Sequence, residues 1–230
     1  MALAMWICSR PVAARCPRNA LAHDRGENRI VSSGLSRGEL LRRGAAGGAA
    51  VVSGSLVGAF AGQADAATVP DNDLAYLRLL VAAELLEADL QEQALTSGKL
   101  SRRSTAVVKK TAADEKAHYA RLAQLVTAAG QPPATSGDID FSYPKGSLAS
   151  QASVLKVAAQ IETLVLGAYL GAIENVETAE LRLPLGQIAA NEAQHVSALA
   201  ALRGRTVIGR PFPPSLQIDA ASAALDRFES

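Results

Sequence analysis

Cysteine is nearly missing from this 230-residue chain: there are two, Cys8 and Cys16, both near the N-terminus. From residue 67 onward this excludes a disulfide framework and a zinc–thiolate site. Aromatic residues are also scarce, at 4%, while Ala and Leu carry most of the 49% hydrophobic share. That balance favours helix, since strands draw more on Val, Ile, Tyr and Phe. Neither sign of charge dominates: 23 basic and 22 acidic residues give a net charge of +1. A polybasic nucleic-acid binder is therefore not expected. The charge is unevenly placed. Eight of the 23 basic and four of the 22 acidic residues lie in residues 1–66, leaving 15 basic and 18 acidic residues, a net −3, in the rest.

Residues 1–66 read as an address. Arg42-Arg43 precedes a charge-free stretch, Gly44 to Ala64, built mostly of Ala, Gly, Val and Ser. Ala64-Asp65-Ala66 then fits a small-residue cleavage site, with cleavage expected after Ala66. The weak hydrophobicity resembles a twin-arginine export signal, which carries folded cargo. Ser36-Arg37-Gly38-Glu39-Leu40-Leu41-Arg42 is similar to that signal's motif, with Gly38 in place of the second arginine. The expected destination is the periplasm, the cell envelope or the exterior. An uncleaved N-terminal segment is the alternative, and would be the one route to a membrane, although Gly and Ala make a poor spanning helix. Residues 1–28 form a long lead expected to be absent from the mature protein.

The remainder reads as four long helices in two hairpins. Pro70-Asp71-Asn72-Asp73 marks the start of the first. Its apolar face is expected to carry Leu77, Leu80, Val81, Glu84, Ala88, Gln91 and Leu95, and it should end at Ser97-Gly98. The second spans about Arg102 to Ala129, stopped by Gly130 and Pro132-Pro133. Residues 131–146 form a polar linker. The third helix runs from near Leu148 to near Asn175, and the fourth from Ala179 or Pro184 to Arg203. The linker is the longest internal connection, and must cross the bundle if the third helix is to lie antiparallel to its diagonal partner. Residues 67–203 thus form the expected bundle. Residues 204–230, with Pro211, Pro213 and Pro214, form an arm across it, with a short helix at 219–228.

The chemistry sits on the apolar stripes. Glu115 and His118 are three residues apart, as are Glu192 and His195, so each pair leaves one helix face. Glu84 stands 31 residues before Glu115, and Glu162 stands 30 before Glu192, each alone on the stripe of the preceding helix. A carboxylate in an apolar core costs several kcal/mol unless compensated, and four together repel. No Lys or Arg shares those stripes, so shared protons or metal cations must balance them. Oxygen-rich ligation with one imidazole per ion suits Fe or Mn, with Zn also open. The two histidines of this region both lie in the repeated motif.

This pattern resembles the ferritin-like di-iron carboxylate superfamily, over about residues 72 to 203. Ala83-Glu84-Leu85-Leu86-Glu87-Ala88-Asp89 and Leu166-Gly167-Ala168-Tyr169-Leu170-Gly171-Ala172 are similar to the bacterial members grouped with desiccation-associated proteins. The resemblance implies an all-α, ferritin-like four-helix bundle of two hairpins with a long crossover. It implies two Fe or Mn ions per chain, with Glu115 and Glu192 spanning both. Glu84 with His118, and Glu162 with His195, would complete the two sides. It implies O2 or peroxide as the small-molecule partner and a role under oxidative or drying stress. A non-enzymatic envelope scaffold or metal-binding protein is the other reading, and a homodimer is an expected state. The absence of a Cys cluster leaves no rubredoxin-type relay, so electrons would come from a partner or from the metal substrate. The family often has an aromatic residue seven after the lone Glu; Tyr169 fits after Glu162, but Gln91 holds that place after Glu84. Glu87 is expected either to replace Glu84 as ligand or to be a solvated or supporting group. Tyr119 and Tyr169 are read mainly as packing residues, with hydrogen bonds to carboxylates as the alternative. Glu174, Glu177 and Glu180 are expected to form a wet acidic edge. Gly167 and Gly171 suggest a close contact between the third helix and a neighbour.

Overall fold

A computed structural model describes residues 69–229; the leader and the expected cleavage after Ala66 lie outside the described residues. Four long helices form where the apolar periodicity places them: α1 (Asp71–Thr96), α2 (Arg102–Ala128), α3 (Gln151–Asn175) and α4 (Ala179–Leu202). A fifth, α5 (Ile218–Leu225), leads into a 3-10 turn at Asp226–Phe228. No strand occurs among the described residues; one antiparallel bridge joins Phe141 to Glu229.

Local chemistry sets the helix ends. Ser101 caps α2 by accepting from the Ser104 amide at 3.3 Å. Ser150 and Ser153 form a reciprocal capping box on α3. At the end of α2, Gly130 takes φ +75°, and the Gln131 amide bonds the Val126 carbonyl at 3.1 Å. That bond closes the helix as a Schellman turn, which favours glycine. The fourth helix starts at Ala179 and includes Pro184. The proline forgoes only the bond to the Glu180 carbonyl, in the exposed first turn.

The linker between α2 and α3 travels the length of the bundle. Gln131, at its start, accepts from Arg78 near the beginning of α1. Midway, the Tyr143 hydroxyl reaches the Leu86 carbonyl (3.2 Å) and the Asp89 carboxylate (2.6 Å). At its end, Leu148 packs with Ala94, Leu95 and Leu100 at the α1–α2 turn. The third helix therefore starts where α2 starts and runs parallel to it. Its antiparallel partners are α1 and α4, both packed against it, so the antiparallel partner across the hairpins is a neighbour and not a diagonal helix. At the other end, Asp73 is fully buried and accepts from the Glu177 and Thr178 amides at 2.7 and 2.8 Å. One carboxylate of α1 thus caps the start of α4.

The first helix is buried on all sides from Leu79 to Glu87, not only along the expected face. Helices α2 and α3 cover two sides, while the crossover and α5 cover the rest. The C-terminal arm approaches α3 at Gly167 and Gly171. The Leu216 amide donates to the Gly167 carbonyl at 2.8 Å. A Cβ on Gly171 would lie 1.8 Å from the Leu216 carbonyl oxygen. The small-residue pair therefore admits the non-helical backbone at Leu216, the close neighbour that the spacing suggested. Glu174, Glu177 and Glu180 are exposed, as expected.

Gly171→Ala should displace the arm and lower stability by about 1–3 kcal/mol. Gly186→Ala, at a helical glycine with open space around it, should instead stabilise by about 0.5–1 kcal/mol. Thermal or urea unfolding of the two variants checks the opposite signs.

Candidate metal centre

Each long helix delivers part of one buried cluster. Glu84 comes from α1, Glu115 and His118 from α2, Glu162 from α3, and Glu192 and His195 from α4. All six are buried, and Glu84, Glu115 and Glu192 have 0% exposure. Their atoms fall into two groups of four that could each hold an ion: Glu84, Glu115, His118 and Glu192; and Glu115, Glu162, Glu192 and His195. Within each group the candidate ligand atoms lie within 4.8 Å of one another. Glu115 and Glu192 belong to both groups.

The shared pair is oriented atom by atom. His118 Nδ1 lies 3.0 Å from Glu115 Oε2, 2.9 Å from Glu192 Oε1 and 3.5 Å from Glu84 Oε2. His195 Nδ1 lies 3.0 Å from Glu115 Oε1, 3.4 Å from Glu192 Oε2 and 3.3 Å from Glu162 Oε2. Each shared carboxylate thus turns one oxygen to each imidazole. The two rings stand 5.9 Å apart between centroids, 29° from parallel.

The far side of each ring is held as well. His118 Nε2 meets Asn191 Oδ1 at 3.0 Å, and His195 Nε2 meets Asp114 Oδ2 at 3.3 Å. An Nε2–H donated to these oxygens leaves the Nδ1 lone pair of a neutral ring facing the carboxylates. Asn191 and Asp114 escaped the sequence reading, although a signal was present. Each immediately precedes the Glu of a Glu-x-x-His motif and contacts the histidine of the other motif.

Two further side chains position the carboxylates. The Tyr169 hydroxyl donates to Glu84 Oε1, which decides Tyr169 in favour of a carboxylate contact. Tyr119 instead donates to the Ala134 carbonyl in the linker, at 2.9 Å. Gln91 donates to Glu115 Oε1 at 3.1 Å, so the residue that replaces an aromatic supports a shared ligand. Glu87 is buried, contrary to its reading as a solvated group, and neither of its carboxylate oxygens has a hydrogen-bond partner in the protein.

Among the described residues, no Lys or Arg pairs with the six; the cationic partners are the two histidines. Burial pushes the Glu84 carboxyl up to about 8. Burial, joined by neighbouring carboxylates, holds Glu162 well above the usual range. For Glu115, burial is outweighed by hydrogen bonds from His118 and His195, which hold it at about 2. Burial opposes a charged His118, but bonds to Glu115, Glu192 and Glu84 carry it up to about 12. Burial likewise opposes a charged His195, whose bonds to Glu115, Glu162 and Glu192 raise it further. Without metal, protons balance the cluster. Apart from these contacts between rings and carboxylates, Glu84 Oε2, Glu162 Oε2, both Glu192 oxygens and His195 Nδ1 have no hydrogen-bond partner, and all belong to the two groups of four. Converging orphaned donor atoms of this chemistry fit divalent cations.

These shifts set a pH dependence. His118 is raised above its ordinary 6.5, so its ion pairing stabilises the metal-free fold below that value and is lost as pH climbs toward about 12. Glu84 is raised from 4.5 to about 8, so the unfolded state gains charge, and the fold loses stability, across that window. Both effects have the same sign. The melting temperature of the metal-free protein should fall between pH 5 and pH 8. Added Mn(II) should reverse that trend, because it displaces the protons. Calorimetric melts at the two pH values, with and without Mn(II), check both statements.

A comparison with curated proteins returns no match. Among solved structures, this chain is similar to a hypothetical protein from Methanococcus jannaschii, at 15% identity and a TM-score of 0.49, over 67% of this chain and 92% of that one. The family model for the ferritin-like domain matches residues 72–205, which hold the four long helices and all six cluster residues. The chain belongs to the ferritin-like domain family.

Proposed function

We propose that this protein is an exported di-metal carboxylate protein that holds two Fe or Mn ions and acts on O2 or peroxide, in protection against oxidative or drying stress. The observation that carries the reading is the pair of four-residue groups sharing Glu115 and Glu192. Glu84 and His118 would hold one ion and Glu162 and His195 the other, with Glu115 and Glu192 common to both. A bound redox pair would supply the electron exchange and Lewis acidity that O2 or peroxide chemistry requires.

The chain's own groups prepare that site. Asn191 and Asp114 fix the ring orientations, Tyr169 holds one oxygen of Glu84, and Gln91 holds one oxygen of Glu115. The apolar walls exclude water, which strengthens every electrostatic interaction inside. Asp114 is 19% exposed at its side chain and touches His195, so it offers a route for protons between this histidine and solvent. Residues 67–230 contain no cysteine for a rubredoxin-type relay, so electrons would come from a partner or from the metal substrate. The scaffold reading draws on the histidine–carboxylate pairs, which balance charge without a metal.

Elemental analysis of protein purified without a His tag and loaded with Fe(II) or Mn(II) should find about two ions per chain. The Glu115→Ala/Glu192→Ala double variant should bind almost none. Loaded parent protein should then consume peroxide or O2; a helical parent that takes up no metal would favour the scaffold. The address reading has its own check: intact-mass measurement of protein recovered outside the cytoplasm should show a chain beginning at Ala67.

A further inference from the structure

We propose that Glu87 is a seventh ligand, serving the ion held by Glu162 and His195, so that the two metal positions are unequal. The inference rests on the di-metal reading above.

The placement follows from the path of α1 across the cluster. Glu84 lies in the first group of four. Gln91, two turns later on the same helix, donates to Glu115 Oε1. That oxygen is the one facing His195, at 3.0 Å, while Glu115 Oε2 faces His118. The inward face of α1 therefore passes from the first group at Glu84 to the second at Gln91. Glu87 lies between them, three residues from Glu84 and four from Gln91, spacings that keep all three on one face. It is 1% exposed, and both carboxylate oxygens lack a hydrogen-bond partner. A side chain this buried has no solvent to turn to, so its oxygens need a proton or a cation. Glu87 stands outside both groups of four, and would join the second by a change of side-chain rotamer.

The repeat shows that this residue is an addition. The position three after Glu162 on α3 is Val165, which is buried and apolar. Only the α1 half carries the extra carboxylate. A second observation points to the same inequality: His195 is backed by the Asp114 carboxylate, whereas His118 is backed by the neutral Asn191 amide. The extra negative charge thus gathers on the side of Glu162 and His195. Among the charges that raise the Glu87 carboxyl, after burial itself, Glu162 acts most strongly.

The test is a Co(II) titration of the purified protein at pH 7, followed by calorimetry and visible absorption. The parent should take up two Co(II) in two resolved steps. Glu87→Gln keeps the size of the side chain and removes its charge. It should weaken one step at least tenfold and leave the other within about twofold, with unchanged helical circular dichroism. The weakened step should be the one that Glu162→Gln also weakens, and not the one lost in Glu84→Gln. Glu87→Asp keeps the charge but shortens the reach, and should weaken the same step. Two unchanged steps in Glu87→Gln, or weakening of the Glu84 step instead, would overturn the proposal while leaving the di-metal reading intact. A helical parent that binds no Co(II) would overturn both.

Discussion

Five buried carboxylates inside an apolar bundle impose the constraint on which this structure turns. Glu84, Glu87, Glu115, Glu162 and Glu192 are all withdrawn from water, and no Lys or Arg pairs with them among the described residues. Such a group is tolerable only if cations enter it. The protein meets the constraint with two imidazoles that can be protonated or can ligate, and with a geometry that lets protons and metal ions exchange places. The rest of the fold serves that geometry. Four helices are needed because no single helix can point four carboxylates at one volume. The crossover puts α3 beside α1 and antiparallel to it, with Glu84 and Glu162 each near the middle of its helix.

The repeat within the sequence becomes an approximate symmetry in space, but the supporting residues break it. Tyr169 of α3 holds Glu84, whereas Gln91, at the matching place on α1, holds a shared carboxylate. Asp114 and Asn191 take equivalent positions with different charge. The two halves share one plan of ligation and offer different electrostatic surroundings.

The fold was legible in the sequence because the helices are long, periodic and clearly punctuated. The convergence of Glu84, Glu115, His118, Glu162, Glu192 and His195 was legible because two spaced motifs repeat. What escaped notice depends on partners distant in the chain. Asp114 and Asn191 look like ordinary surface residues until the opposite helix is placed beside them. Glu87 stayed open between ligand and solvated or supporting group because an isolated amphipathic helix has a wet side, and α1 has none between Leu79 and Glu87. The outer coverings of α1, the linker near Tyr143 and helix α5, lie far along the chain. Gly167 and Gly171 signalled close approach correctly, but spacing alone does not distinguish a helix from an extended strand of backbone.

The position of α5 also bears on how the molecule comes into being. In chain order α5 follows the four long helices, yet it lies against α1, and the Tyr76 hydroxyl bonds to the Ile218 backbone. Until α5 has been made, the most extensively buried helix lacks part of its cover. The two hairpins can form as they emerge, because their contacts are local. Sealing of the core waits for α5, so a chain cut within α5 would expose apolar surface on the helix that bears Glu84.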